Sequence, residues 1–402
     1  MPVTNLLHKH LQGFAGDLTT ALKAMSETSF APHDVKCLRS FSAGEASYYL
    51  GVADGYLRKA HHEGRIPDVE MGAGNRRRYT AEQIQEIRHV LAETAKKPEQ
   101  FMPGRRDLEK DALQVWAFVN FKGGSGKTSS AIHVAHALAL KGYKVLVMDC
   151  DPQASITTFF GYQPEIDFFD SGSLYDVIRY KDKESGEGPV PLTDIIKTTY
   201  FPNLDLVPGG IQVAEFEHET PSALSRGELP VFFNKIRDAL KPVENDYDLV
   251  IMDCPPQLGY VTLSAICAAQ NIMMTLIPER VDMASAAQFL NMAASLTEVL
   301  HENAGIGLFD NFRFLLSRFD TNVATQVDLA GFIRELFGDA VMKSAFLKSS
   351  AVSEAGISQQ TVLEVDLTDV KNRKTYERAI QSVHEITDEM EQIIQASWGR
   401  SA

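Results

Sequence analysis

The sequence predicts an α/β fold: a mostly parallel sheet covered by helices and built round a phosphate-binding loop, preceded by a lone helix and a small winged helix-turn-helix. Three observations carry this. Between Val115 and Leu140 an apolar run ends in a glycine-rich turn that leads straight into a helical pattern. From Leu113 onward strand-like and helix-like segments alternate, and two further apolar strands end in aspartates, at Asp149 to Asp151 and at Asp253. Before residue 98, two short helical patterns joined by a tight turn are followed by a glycine turn and three consecutive arginines.

A chain of 402 residues has room for two or three cores, and its 44% apolar content with mixed charge is that of a soluble globular protein. No apolar run approaches the roughly 18 residues of a membrane helix, and no signal-peptide pattern opens the sequence. Cys37, Cys150, Cys254 and Cys267 are scattered without CxxC pairing, which predicts a reducing cytoplasm and argues against a metal or disulfide framework. The net charge of −14 disfavours nucleic acid as a partner of the whole surface. Yet Asp34 to Lys110 holds 14 Lys/Arg against 12 Asp/Glu, so that segment is +2 while the rest carries −16. Local charge governs DNA contact.

Residues 3–28 predict a helix, with Leu6, Leu7, Leu11, Phe14, Leu18, Leu22 and Met25 on one stripe at three- and four-residue steps. That stripe either docks on the next domain or serves dimerisation. Residues 35–97 predict a DNA-binding module. Ser42-Ala43-Gly44-Glu45 is a capping box that starts a helix running to Leu50, Gly51 to Asp54 is a tight turn with Asp54 as the next N-cap, and a second helix runs from Gly55 to Glu63. Tyr56, Arg58, Lys59, His61 and His62 fall on its polar side, with Arg65 just beyond. His61 and His62 have no Cys or acidic partner at ligand spacing, so they are not metal ligands. The turn Ala73-Gly74-Asn75 then presents Arg76, Arg77 and Arg78 as a basic wing, and Thr80 to Gln83 caps a third helix through Ala95. Helix-turn-helix plus basic hairpin resembles the winged helix of MerR-type regulators. DNA contact is expected from Tyr56, Arg58, Lys59, Arg65, Arg76, Arg77 and Arg78. Residues 98–112, with Pro98, Pro103 and Gly104, read as a linker.

The stretch Phe121-Lys122-Gly123-Gly124-Ser125-Gly126-Lys127-Thr128 organises the remainder, 113–402. Gly123, Gly124 and Gly126 let backbone N–H groups point at a phosphate, and the helix opening near Ser129 adds partial positive charge. Lys127 would reach the β- and γ-phosphates and Thr128 would hold Mg²⁺. Nucleotide contact is expected of Lys122, Ser125 and Ser129 as well. The acid ending the strand Asp248 to Asp253 has Walker B character, so Asp253 would hold Mg²⁺ through water. Cys254 beside it reads as a packing residue. No N-K-x-D guanine motif appears, so the base is adenine and the nucleotide ATP. Phe159 to Thr198 is polar and reads as a surface insertion.

The generic loop wants glycine where Phe121 stands and does not ask for Lys122. K-G-G-x-G-K-T resembles the deviant Walker A loop of the ParA/MinD class of P-loop NTPases, and Asp149-Cys150-Asp151-Pro152-Gln153 resembles the D-x-D-P-Q segment of ParA-type ATPases. The resemblance implies that Lys122 reaches the nucleotide of the other subunit, that Asp151 orients the attacking water, and that Pro278 lies beside the nucleotide. Catalysis is thereby expected of Lys122, Lys127 and Asp151. Lys348 to Gly356, Leu315 to Asp320, Gly331 to Gly338 and Arg39 to Arg88 resemble the RepA partition ATPases of repABC-type plasmids. This implies a homodimer that binds operator and non-specific DNA, works with a ParB-like centromere-binding protein and represses its own operon. It also implies a cytoplasmic, nucleoid-associated location and no membrane contact. The acidic amphipathic helix from Thr375 to Ala396 differs from the basic membrane-inserting helix of MinD relatives. A nucleotide-sensing repressor without a segregation role shares every one of these motifs. A reductase of the nitrogenase iron protein class is set aside, because the cysteines are not placed for a cluster.

Overall fold

The computed structural model describes residues 7–29, 36–72, 76–168, 171–181, 186, 188–229, 231–304 and 309–400. Leu38–Ala402 forms one compact unit and Met1–Cys37 another. In the smaller unit the stripe helix is α1, Leu7–Ser29, and Leu7, Leu11, Phe14 and Leu18 are all exposed on it. Leu6 lies outside the described residues, as do the side chains of Leu22 and Met25.

The large unit opens with strand β1 (Phe41–Ser42) and helix α2 (Ala43–Leu50). The capping box at Ser42 and Glu45 forms in both directions, and Gly51 ends α2 in the left-handed region at φ 68°, where a Cβ would be strained. Helix α3 is Asp54–His62. Its N-cap is Ala53 with no side-chain hydrogen bond, so Asp54 is not the cap but the first helical residue, favourable there through the helix dipole. Strands β2 (Met71–Gly72) and β3 (Arg76–Tyr79) pair antiparallel, and β1 joins on the other side of β3, giving the order β1-β3-β2. The turn residues 73–75 lie outside the described set. Helix α4 (Ala81–Thr94) starts at a second reciprocal capping box, Thr80 with Gln83. His61 is buried rather than on the polar side: its Nε2 lies 3.1 Å from the Tyr79 hydroxyl. Residues 98–112 are fastened to the core. The Arg105 backbone N–H donates to Asp248 Oδ1 at 2.7 Å and its guanidinium reaches the Glu244 carbonyl at 2.6 Å.

The main sheet is built from β4 (Gln114–Val119), β5 (Val145–Asp149), β6 (Lys197–Thr198), β7 (Leu204–Val207), β8 (Leu249–Asp253), β9 (Asn271–Leu276), β10 (Asn311–Phe319) and β11 (Val341–Leu347). Their order is β11-β10-β9-β4-β8-β5-β7-β6, parallel throughout except for β6 against β7. β4, β5, β8 and β9 are buried at every position, as parallel strands covered on both faces must be. The expectation of a surface insertion at 159–198 is corrected. Leu174, Val177, Ile178, Leu192 and Ile195 are buried in the core on one face of the sheet. They sit on helices of only five and four residues, Leu174–Ile178 and Leu192–Ile195, too short for a periodicity to register.

Candidate nucleotide site

The loop between β4 and helix α5 (Lys127–Leu140) is braced from behind. Asn120, the residue after β4, donates from Nδ2 to the Thr275 carbonyl at 2.5 Å and accepts the Lys122 N–H at 2.9 Å. Gly124 and Gly126 have φ of 73° and 84°, so a side chain at either would strain the turn. A Cβ on Gly126 would also stand 3.3 Å from Ser317 Cβ, and Ser317 Oγ donates to the Ser125 carbonyl at 2.5 Å. Arg318, itself at φ 49°, donates from Nη1 to the Gly124 carbonyl at 2.9 Å. A cleft of about 400 Å³ opens over this loop, lined by residues 124–129 together with Arg318, Lys348, Ser349 and Val352. A cleft of similar size, about 450 Å³, lies near Lys144, Tyr200 and Tyr247 and has no glycine loop.

Parallel pairing sets Asp149 directly opposite Asp253. Asp253 Oδ2 accepts the Thr128 hydroxyl at 2.6 Å. Its Oδ1 is buried with no hydrogen-bond partner among the described residues, the condition of a carboxylate that suits a water or a cation. Burial, followed by the Asp149 charge, pushes the Asp253 carboxyl up to about 8. Burial likewise raises Asp149 to about 7, against the two hydrogen bonds it accepts at 2.8 Å from the Thr157 N–H and hydroxyl. Lys127 is buried over these acids, and its ammonium is pushed down by desolvation while Asp253 and Asp151 hold it up. Asp151 accepts the Gln153 N–H at 2.9 Å, closing the turn after β5. The set can neutralise a polyphosphate on one side and hold a divalent cation on the other.

Lys122 projects away from this cluster. Its Nζ meets Asp282 Oδ2 at 2.6 Å, in the first turn of the helix Arg280–Ala304. Pro278 is buried just before that helix and does not line the cleft. Gly123, Ser125, Ser129 and Thr128 all stand on the loop or the first turn of α5, as expected from their position. Sequence reasoning passed over Asp282, because an acid in a first helical turn is ordinary. It passed over Thr275 too, whose hydroxyl lies 3.1 Å from Ser125 Oγ, because a threonine inside a strand carries no signal.

The basic residues of the small module stand apart from the cleft. Arg58, Lys59 and Arg76 are exposed, and Arg77 and Arg78 half-buried. Arg65 lies over the Tyr56 ring at 5.2 Å and donates to its hydroxyl at 3.3 Å, so these two act as a pair. No described helix is long and apolar enough to cross a membrane.

Residues 113–306 match a family described as an AAA domain. A "Putative replication protein A" of Rhizobium rhizogenes is 40% identical over 402 residues, covering 99% of this chain and 96% of that protein. Protein SopA of Escherichia coli K12 is 27% identical over 95% of both chains. A solved structure titled "Partition Protein" shares the fold over 98% of this chain and 99% of its own, with a TM-score of 0.65 at 17% identity. Relatives aligned over nearly their whole length, together with a braced glycine loop that carries its early lysine, give one conclusion: the chain belongs to the ParA-type, deviant Walker A partition ATPases, in the likeness of RepA from repABC-type plasmids.

Proposed function

We propose that this protein is a partition ATPase that binds ATP with Mg²⁺, closes into a homodimer on it, and hydrolyses it to ADP and phosphate under stimulation by a ParB-like centromere-binding protein. The closed form holds non-specific DNA and stays with the nucleoid in the cytoplasm. The α2–turn–α3 pair and the β2–β3 hairpin, a winged helix-turn-helix in this reading, bind operator DNA and repress the chain's own operon. The observation that carries the ATPase reading is the Thr128–Asp253 hydrogen bond of 2.6 Å beneath the glycine loop, with an unpartnered Asp253 oxygen beside it.

Thr128 and Asp253 are the residues that would hold Mg²⁺, Asp253 through water. The cation, when bound, neutralises charge on the phosphates. Lys127 supplies the fixed cation for the β- and γ-phosphates, and the N–H groups of residues 123–129 cradle them. Asp151 stands at the end of β5 beside the cluster, where its carboxylate can orient a water for in-line attack once it leaves the Gln153 N–H. Lys122 must part from Asp282 to reach a nucleotide on a partner subunit.

The test separates the two loop lysines. Lys127→Ala is expected to abolish ATP binding with the fold intact. Lys122→Ala should keep appreciable ATP binding but lose hydrolysis and the closed dimer. Normal turnover by Lys122→Ala would overturn the deviant-loop mechanism.

A further inference from the structure

Helix α5 is buried over all its residues except Thr128 and Ser129, and both of its ends are tied to the module that carries α2 and α3. At the far end stands Arg88 of α4, only 3% exposed. Its guanidinium donates to the Leu140 carbonyl at 3.2 Å, in the last turn of α5, and to the Tyr49 carbonyl at 2.6 Å, in the last turn of α2. A third bond reaches the Phe101 carbonyl at 3.0 Å. Gln85 adds a bond to Leu140 at 3.0 Å. Burial presses the Arg88 charge down and the charge of Glu391 opposes this, while the carbonyls at the partial negative ends of two helices accept its N–H groups. Gly142, at φ 99°, leaves the room: a Cβ there would lie 2.5 Å from Arg88 Nε.

The near end runs through side chains and one short segment. His133 Nδ1 lies 2.6 Å from the carbonyl of Ser129, which lines the nucleotide cleft, and its Nε2 accepts the Val362 N–H at 3.1 Å. The next carbonyl, of Leu363, accepts Arg39 Nε at 2.8 Å. Arg39 pairs with Glu45 at 2.5 Å, and Glu45 is the acid of the capping box that starts α2. Helix α2 is therefore held to α5 at its own two ends. An apolar side chain would fill the place of Arg88 or Arg39 without desolvating a charge. What a guanidinium adds is a fixed fork that sets the register of several carbonyls at once.

We propose that α5 is a lever that reports occupancy of the phosphate loop to the α2–α3 pair, with Arg88 as its distal joint and the His133–Val362–Leu363–Arg39 line as its proximal one. The regulation rests on the function proposed above. A close-packed helix transmits a shift at its first turn rather than absorbing it. A ligand that moves the Ser129 turn therefore moves the seat of α2. Arg88 and Arg39 are positioning residues that touch neither nucleotide nor DNA.

The test is hydrogen exchange on the full chain, followed in peptides covering residues 43–62, with and without ADP and Mg²⁺. In the wild type, nucleotide should change exchange there about five-fold or more. In Arg88→Met and in Arg39→Gln that response should fall to about two-fold or less, with ADP affinity kept within about three-fold. Arg88→Lys keeps the buried charge and loses the fork; it should behave like Arg88→Met and carries the test if Arg88→Met does not fold. An unresponsive α2–α3 pair in the wild type, or a full response in both Arg88→Lys and Arg39→Gln, would overturn the lever. A parallel titration uses duplex DNA from immediately upstream of the chain's own reading frame. An exchange response without DNA binding would support the lever and remove the operator reading. DNA binding with no exchange response would overturn the lever alone.

Discussion

Asp253 and Asp149 face each other across β8 and β5, with their carboxyls raised to about 8 and about 7, chiefly by burial. An acid raised in the folded state favours folding while it is protonated. That contribution is complete below the ordinary carboxylate range and is lost as pH climbs through 7 to 8. The nucleotide-free, Mg²⁺-free protein should therefore lose thermal stability between pH 6 and 8.5. Asp253→Asn should flatten that slope, and Mg²⁺–ADP should bind more tightly as pH rises over the same range. Melting curves at several pH values check the first two points and calorimetric titration the third; a wild-type slope left intact by Asp253→Asn would remove Asp253 as its source. Asp151 is different, since its carboxylate caps a turn at the edge of the cluster. Asp151→Ala should bind ATP, dimerise and stay on DNA without turnover, because binding needs the loop while in-line attack needs a placed water. Single-turnover assay beside gel filtration would show it, and wild-type turnover would take Asp151 out of the mechanism. Thr128, Lys127 and Asp253 were legible as residues because their chemistry is written at fixed spacing. Asp282 was not, since it meets Lys122 only through folding across 160 positions.

Among the elements, the hairpin and the two helices before it were readable because local rules agree with the fold. Ser42 with Glu45 and Thr80 with Gln83 cap where the spacing says they should. The cap at Asp54 failed since the turn after Gly51 extends only to Ala53, leaving the aspartate inside the helix. The hairpin carries its own prediction. Arg76 is exposed and Arg77 half-buried, while Arg78 pairs through its backbone with Ser42 and lies in the field of Asp366. Replacing all three by alanine should weaken operator binding by about 10²-fold at moderate salt and reduce the salt slope by about two to three phosphates. Fluorescence titration at two salt concentrations reads both quantities. An unchanged operator affinity would make the hairpin a solvated loop. ATP hydrolysis without DNA should not change, because none of the three lines the nucleotide cleft.

For the whole molecule, the Lys122–Asp282 pair is the contact that dimer closure, as proposed above, would have to break. Asp282 is 1% exposed in its side chain and Lys122 39%, so the lysine can leave but the acid would remain buried. Asp282→Ala should free Lys122 and lower the ATP concentration at which the dimer forms, which sedimentation across an ATP series would measure. A dimer that needs as much ATP as the wild type would show that the pair does not restrain closure. The sequence by itself determined the parallel α/β sheet, the loop, the acids at the strand ends beside it and the two capped helices. Each is a short-range pattern, in which side-chain chemistry at fixed spacing meets backbone geometry. Tertiary structure alone decided the packing of 159–198 into the core, the burial of His61 and the parking of Lys122 on Asp282. It alone seated Arg88 on the ends of α2 and α5. The pairs among those contacts join residues from 18 to 160 positions apart, and burial or a distant carbonyl leaves no periodic mark on the chain that provides it.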